Sequence, residues 1–252
     1  MGSWRPNGDS QVYCELQVNA EAAIKKIKAM SESSGQKITM THFMGKVMGK
    51  VLKEVPDMNA LVRLHNIHTR RDVDVFFQVS LDETELSGHV VRCIDTKSLA
   101  DISKELTETV NNIRKGEDLV FKKIKQSWNM IPSWMATCVL NTIAFISYTL
   151  NINIKGSNIP RDCFGSMMIT NIGSLGFSSA FVPLAPYTRI SMILALGKTE
   201  WRPVCREDGS VTSQQQVSLC FTFDHRVMDG AQGAKVSWWI KKYFANPNLL
   251  DS

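Results

Sequence analysis

Near the C-terminus, Phe221-Thr222-Phe223-Asp224-His225-Arg226-Val227-Met228-Asp229-Gly230 sets one histidine at the end of an alternating apolar run and directly ahead of a turn. Val217, Leu219, Phe221 and Phe223 alternate with Ser218, Cys220 and Thr222, the period-two pattern of a strand with one face in a core. His225 therefore falls where a strand leaves its sheet. An imidazole titrates near neutrality, so one held rigidly at that point can take a proton from a thiol or hydroxyl and return it. Asp229 and Gly230 can shape the turn, the carboxylate tying down the loop and the glycine free to take positive φ. An ordinary strand-to-helix turn also carries an Asp-His pair, so the histidine alone does not separate chemistry from structure.

The whole string does more. Asp224-His225-Arg226-Val227-Met228-Asp229-Gly230-Ala231 resembles the His-x-x-x-Asp-Gly signature of the acyltransferase catalytic domain of 2-oxo acid dehydrogenase complexes, within the wider chloramphenicol acetyltransferase superfamily. Upstream, Gly165-Ser166-Met167-Met168-Ile169-Thr170-Asn171-Ile172-Gly173-Ser174-Leu175-Gly176 is similar to the stretch that reads roughly Gly-x-Phe-Thr-Ile-Ser-Asn-Leu-Gly in that family. Two motifs in the right order are far more specific than either alone. The resemblance runs from about Val12 to Leu250, and Asn246-Pro247-Asn248-Leu249-Leu250 is similar to the usual end of such a domain.

The resemblance implies an α/β fold of chloramphenicol acetyltransferase type, a two-layer sandwich of a mixed β-sheet with helices on one face. Residues 1–10 would form an arm and 11–252 the catalytic domain. Its reaction would move an acyl group between a thioester and a thiol, with coenzyme A as co-substrate and no metal. His225 would be the general base, because a thiol is mostly protonated at neutral pH. Thr170 would donate to the carbonyl oxygen as charge develops there, and the two groups would come from neighbouring subunits of a homotrimer. Asp229 would support His225 by pairing with an arginine, for which Arg5, Arg161, Arg189 and Arg226 are candidates. No coenzyme-binding residue is assigned.

Structural alternatives stand beside these roles. Threonine favours strands as a β-branched residue. Asn171 can orient the Thr170 strand or simply form a turn, and Gly173 and Gly176 are spaced as turn glycines rather than as a dinucleotide or phosphate-loop fingerprint. A lipoyl domain and a peripheral-subunit-binding domain do not fit ahead of Val12, so a lipoyl group would have to be carried on another domain or protein. The chain would then be an excised core, or a free-standing acyltransferase acting on another small or apolar acceptor. A catalytically silent scaffold of the same fold is the alternative from a different class.

Composition bounds the rest. With 252 residues and 44% hydrophobic content, one domain with a large core is the default. The six cysteines form no Cys-x-x-Cys pair and no signal peptide is visible, which predicts reduced thiols and a cytoplasmic location, without disulfides or zinc. His65 and His68 have neither cysteine nor acidic cluster with them and fall in a predicted hairpin. The charge of +5 is mild and its lysines are dispersed, so nucleic acid is not indicated. A basic rim would suit the phosphates of coenzyme A; solvated helix faces account equally for Lys25, Lys26, Lys28, Lys50 and Lys53.

Helices and strands alternate. Asn19 can cap a helix running to about Ser33, with Ala23, Ile24, Ile27 and Met30 on one face. Met40, Phe43, Met44, Val47, Met48, Val51, Leu52 and Val55 form one stripe until Pro56 stops the helix, a face for core or subunit contact. Val73, Val75, Phe77, Val79 and Leu81 alternate with polar residues, predicting a strand with one wet face. Ser98 with Asp101 opens a helix bearing Leu99, Ile102, Leu106, Val110 and Ile113 that ends near Gly116.

Residues 126–154 depart from the family pattern as an apolar insertion. They contain no charged side chain, run past Trp128, Trp134 and Tyr148, and follow Lys122, Lys123 and Lys125. The length suits a transmembrane helix of about 20 apolar residues, although five interruptions, at Asn129, Pro132, Asn141, Asn151 and Asn153, make the run rather polar. A flap packed over the active-site channel or a membrane-surface segment fits the same residues.

Overall fold

A computed structural model describes residues 10–80, 86–114, 132–152 and 162–251. One mixed sheet dominates it. Strand β1 is Gln11–Asn19, β4 Val75–Ser80, β5 Leu86–Val91, β6 Met167–Asn171, β7 Met192–Leu196, β8 Glu200–Cys205 and β9 Val211–Asp224. They lie in the order β1-β9-β7-β6-β4-β5, with β8 alongside the first half of β9. The β4–β6 and β6–β7 pairs are parallel and the others antiparallel. A separate hairpin of β2 (Ala60–Arg63) and β3 (Asn66–Thr69) holds His68 in a strand and His65 in its turn, as its sequence predicts.

Helices α1 (Glu21–Ser34), α2 (Met40–Glu54), α3 (Leu99–Arg114) and α5 (Gly230–Ala245) contribute to the main core. The α2 stripe of Phe43, Met44, Val47, Met48, Val51 and Leu52 is fully buried against Val75, Phe77, Met167, Ile169, Leu194, Leu219 and Phe221. Burying side chains of this size is worth about 1.5–3 kcal/mol each, which makes the α2 face the main attachment of the helical layer. The methionine-rich face is therefore core. The opposite sheet face carries two smaller clusters, around Ile172, Ala195 and Cys220 and around Leu184, Ile190 and Ile193, with Ala180 and Val182 packed on them. Two layers with helices on one side are what the sequence pattern predicts.

Local signals set the helix ends. Ser98 Oγ accepts from Asp101 N at 3.1 Å while Asp101 accepts from Ser98 N at 3.3 Å, the reciprocal arrangement that opens α3. The cap of α1 is shifted by one residue: Ala20 occupies the cap position and Asn19 Oδ1 accepts from Glu21 N at 2.9 Å. Leu81 and Gly116 lie outside the described residues.

The insertion corrects one expectation. Its described part, 132–152, is the short helix α4 (Ser133–Ala144) followed by a π-helical turn at Phe145–Thr149. Twelve helical residues span about 18 Å, short of a bilayer core, and no described helix is long and apolar enough to cross a membrane. Pro132 starts the helix instead of interrupting it, and Ala144, Ser147 and Tyr148 are buried while Trp134 is 80% exposed. Residues 126–131 and 153–154 lie outside the described residues.

Candidate active site

His225 follows the last residue of β9, at a point pinned from both sides. Its backbone N–H donates to Ser10 O at 2.7 Å, ahead of β1, and Asp224 N donates to Ser191 O at 2.9 Å, ahead of β7. The imidazole is exposed, and its Nδ1 lies 3.0 Å from Met228 O. A carbonyl oxygen only accepts, so this contact places the neutral ring's proton on Nδ1 and the lone pair on Nε2. That is the tautomer a general base requires.

The residues behind the ring hold this geometry. Val227 and Met228 are buried, and Asp229 caps α5 by accepting from Ala231 N at 2.7 Å and Gln232 N at 3.2 Å. Gln232 Oε1 returns the bond to Asp229 N at 2.9 Å. Among the described residues the Asp229 carboxylate is held by the backbone N–H groups at the first turn of α5, where unpaired donors compete for it. Arg5 and Arg161 lie outside the described residues.

The ion pair at this turn belongs to Asp224, whose part the motif alone does not reveal. Arg226 donates to it from Nε at 2.9 Å and from Nη2 at 2.6 Å, and Ser10 Oγ donates at 2.7 Å. Burial favours the neutral acid, but the Arg226 and Ser10 hydrogen bonds outweigh it and hold the carboxyl below its usual range. The only sequence signal was the Asp-x-Arg spacing across the strand exit.

Thr170 is half-buried near the C-terminal end of β6, opposite Gln78 of β4 and Ala195 of β7. Asn171 does both things its type allows: Nδ2 donates to Thr41 Oγ1 of α2 at 2.9 Å, and Oδ1 accepts from Ser174 N at 3.1 Å. Gly173 lets this turn close, since a Cβ there would meet Gly197 and Lys198 backbone at 2.7–2.8 Å. Gly165, at φ +63°, opens β6 with its backbone against Asp74 O, where a Cβ would come within 2.5 Å.

Within one protomer, His225 and Thr170 are not brought together. Thr170 is level with Ala195, and Ala195 with Cys220, which lies five residues before His225. Five residues of strand and two strand spacings separate them by about 20 Å. Among the described residues, no group of three metal-ligating side chains converges near either.

The model of the 2-oxoacid dehydrogenases acyltransferase (catalytic domain) family matches residues 8–120 and 159–251. The chain belongs to this family. Residues 121–158 fall between the two matched stretches. The dihydrolipoyllysine-residue acetyltransferase component of the pyruvate dehydrogenase complex of Staphylococcus epidermidis is 27% identical over 236 residues, covering 90% of this chain. This chain spans 43% of that relative's length.

Solved structures agree in fold. Azotobacter vinelandii dihydrolipoamide acetyltransferase, studied for the catalytic role of a serine, a histidine and an asparagine, matches with a TM-score of 0.70 and 19% identity, over 97% of this chain and 85% of its own. A chloramphenicol acetyltransferase matches with a TM-score of 0.52 and 12% identity, over 94% of this chain and 89% of its own. The acyltransferase family's fold, expected from two motifs, is the fold of this chain.

Proposed function

We propose that this chain transfers an acyl group between coenzyme A and a dihydrolipoyl thiol, with His225 as general base. The observation that carries the reading is the His225 Nδ1 bond to Met228 O, which leaves the lone pair of the neutral ring on Nε2, as a base requires. Nε2 takes the thiol proton as sulfur attacks the acyl carbonyl. Sulfur gains the acyl bond, the carbonyl oxygen becomes an oxyanion, and collapse expels the other thiolate, which recovers the proton from the imidazolium. Thr170 of the partner subunit donates its hydroxyl to the oxyanion, a donor of this kind being worth roughly 10² to 10³ in rate.

The 20 Å separation in one protomer supports an assembly, and a homotrimer is the reading the family resemblance favours. Asp229 acts as a positioning residue. The lipoyl group is a substrate carried on another domain or protein, in keeping with the acetyltransferase named for the Staphylococcus relative. That study of a histidine in the Azotobacter enzyme gives the same residue type a mechanistic role there. Chemistry on free thiols suits a reducing, cytoplasmic compartment.

The test is thiol release from acetyl-coenzyme A with dihydrolipoamide, on the intact chain and on His225→Ala. A loss of roughly 10² to 10⁴ in kcat, with unchanged thermal unfolding, is expected for a general base. Turnover by neither protein would point to a silent scaffold, and turnover only with other acceptors would point to a free-standing enzyme of different specificity.

A further inference from the structure

A cavity of about 620 Å³ opens beside the β2–β3 hairpin, lined in part by Arg63, Arg70, Arg71 and Arg92. That volume lies in the range of small-molecule sites. Its place in the fold is specific. Asp74 precedes β4 and Asp162 lies ahead of β6, so the cavity sits at the same end of the sheet as Ser191 and Asp224, and hence as His225. Asn59 links the two regions: its Nδ2 donates to Asp72 O at 3.0 Å, while neighbouring Met58 O accepts from Ser191 Oγ at 3.4 Å.

The charges are incompletely matched. Arg92 pairs with Asp74 at 2.6 Å, and Arg70 Nη1 pairs with Asp162. Four arginines face three aspartates, Asp72, Asp74 and Asp162. Arg70 is the informative one. Its side chain is only 9% exposed, yet Nε and Nη2 have no hydrogen-bond partner among the described residues. These two nitrogens present parallel N–H bonds along one edge of the guanidinium, the fork that matches two oxygens of a carboxylate or phosphate. A buried cation with that edge unused is costly unless an acceptor occupies it.

The insertion contributes to the same wall. Ser147, Tyr148 and Asn151 line the cavity, and Arg63 Nη2 reaches Asn151 Oδ1 at 3.4 Å. All three lie in 121–158, the stretch outside the family match. The site therefore combines residues inside the family match with residues outside it.

We propose that this cavity binds one small oxyanion-bearing ligand, a carboxylate or a phosphate, on the edge of Arg70 that has no partner among the described residues, with Arg71 adding charge at the mouth. The proposal does not depend on the acyl-transfer reading. Calorimetric titration of the full chain with succinate and, separately, inorganic phosphate at fixed ionic strength tests it, with sodium chloride as control. At least one of the two should saturate below ~10 mM and raise Tm, and the arm that binds more tightly identifies the oxyanion.

Arg70→Gln should weaken binding at least tenfold, as a lost bidentate charge-assisted pair requires. Because Arg70 also holds Asp162, Arg71→Gln at an exposed position provides a second variant, with an expected loss of a few-fold. His225→Ala should bind as the wild type does. No saturable binding of either anion, or equal binding by both arginine variants and wild type, would overturn the proposal.

Discussion

Thr170 and His225 stand at opposite ends of the same sheet, related through Ala195 and Cys220 by a register that keeps them about 20 Å apart. No side-chain rotation closes that gap. If both act on one carbonyl, each protomer supplies half of two different sites, and activity must depend on subunit contact.

Mixing inactive variants tests this dependence. His225→Ala and Thr170→Ala should each lose at least roughly 10² in kcat alone. Co-refolded at equal ratio, they should regain about a quarter of wild-type activity, since one interface in four then unites an intact histidine with an intact threonine. Recovery absent from mixtures shown by mass spectrometry to contain hybrid trimers would remove one of the two groups from the mechanism.

Asp229 should behave as a cap. Asp229→Ala removes the acceptor for Ala231 N and Gln232 N and should cost about 1 kcal/mol in urea unfolding, whereas Asp229→Asn should cost a few tenths. The alanine variant should also lower kcat more than it raises KM for the thiol, because the Met228 carbonyl that fixes the imidazole loses its anchor.

Arg226→Ala should expose the Asp224 contribution to stability. Since the folded carboxyl lies below its usual range, its stabilisation is present above the unfolded pKa, near 4, and disappears as pH falls through the folded value. Arg226 is 60% exposed on its side chain, so the effect should be about 1 kcal/mol or less. Urea midpoints of wild type and variant should differ at pH 7 and converge near pH 2.

His42 predicts a second acid-sensitive step. Burial pushes its pKa down to about 4, and its Nδ1 accepts from Thr39 N at 3.2 Å at the start of α2. A depressed folded value means full stability above about 6.5, lost progressively as pH falls toward 4, with a ceiling of about 3 kcal/mol. His42→Gln preserves an acceptor at that position and should flatten the decline between pH 6.5 and 4 in thermal unfolding.

What could be read from residues alone was local. The α2 stripe, its stop at Pro56 and the Ser98–Asp101 box each depend on neighbours a few positions apart, and each appears where the spacing puts it. The exit of β9 at His225 follows from strict alternation. The cap made by Asp229 was not legible because a carboxylate near a helix start has two attractors, an arginine and free N–H groups, and sequence does not rank them. The insertion left three readings open because apolar content measured over a window says nothing of the π-helical turn that follows its short helix. The Arg70 cavity gave no signal, since its walls come from segments nearly a hundred residues apart.

The length of β9 has its own consequence. One fourteen-residue ribbon is clasped by β1 along one edge and by β8 and then β7 along the other, and it ends at the imidazole. A slip by a single position would turn Phe221 and Phe223 toward the wrong layer, so the hydrophobic core acts as the ruler that sets the location of His225. Folding correctly and placing the His225 imidazole at the strand exit are, for this chain, one event.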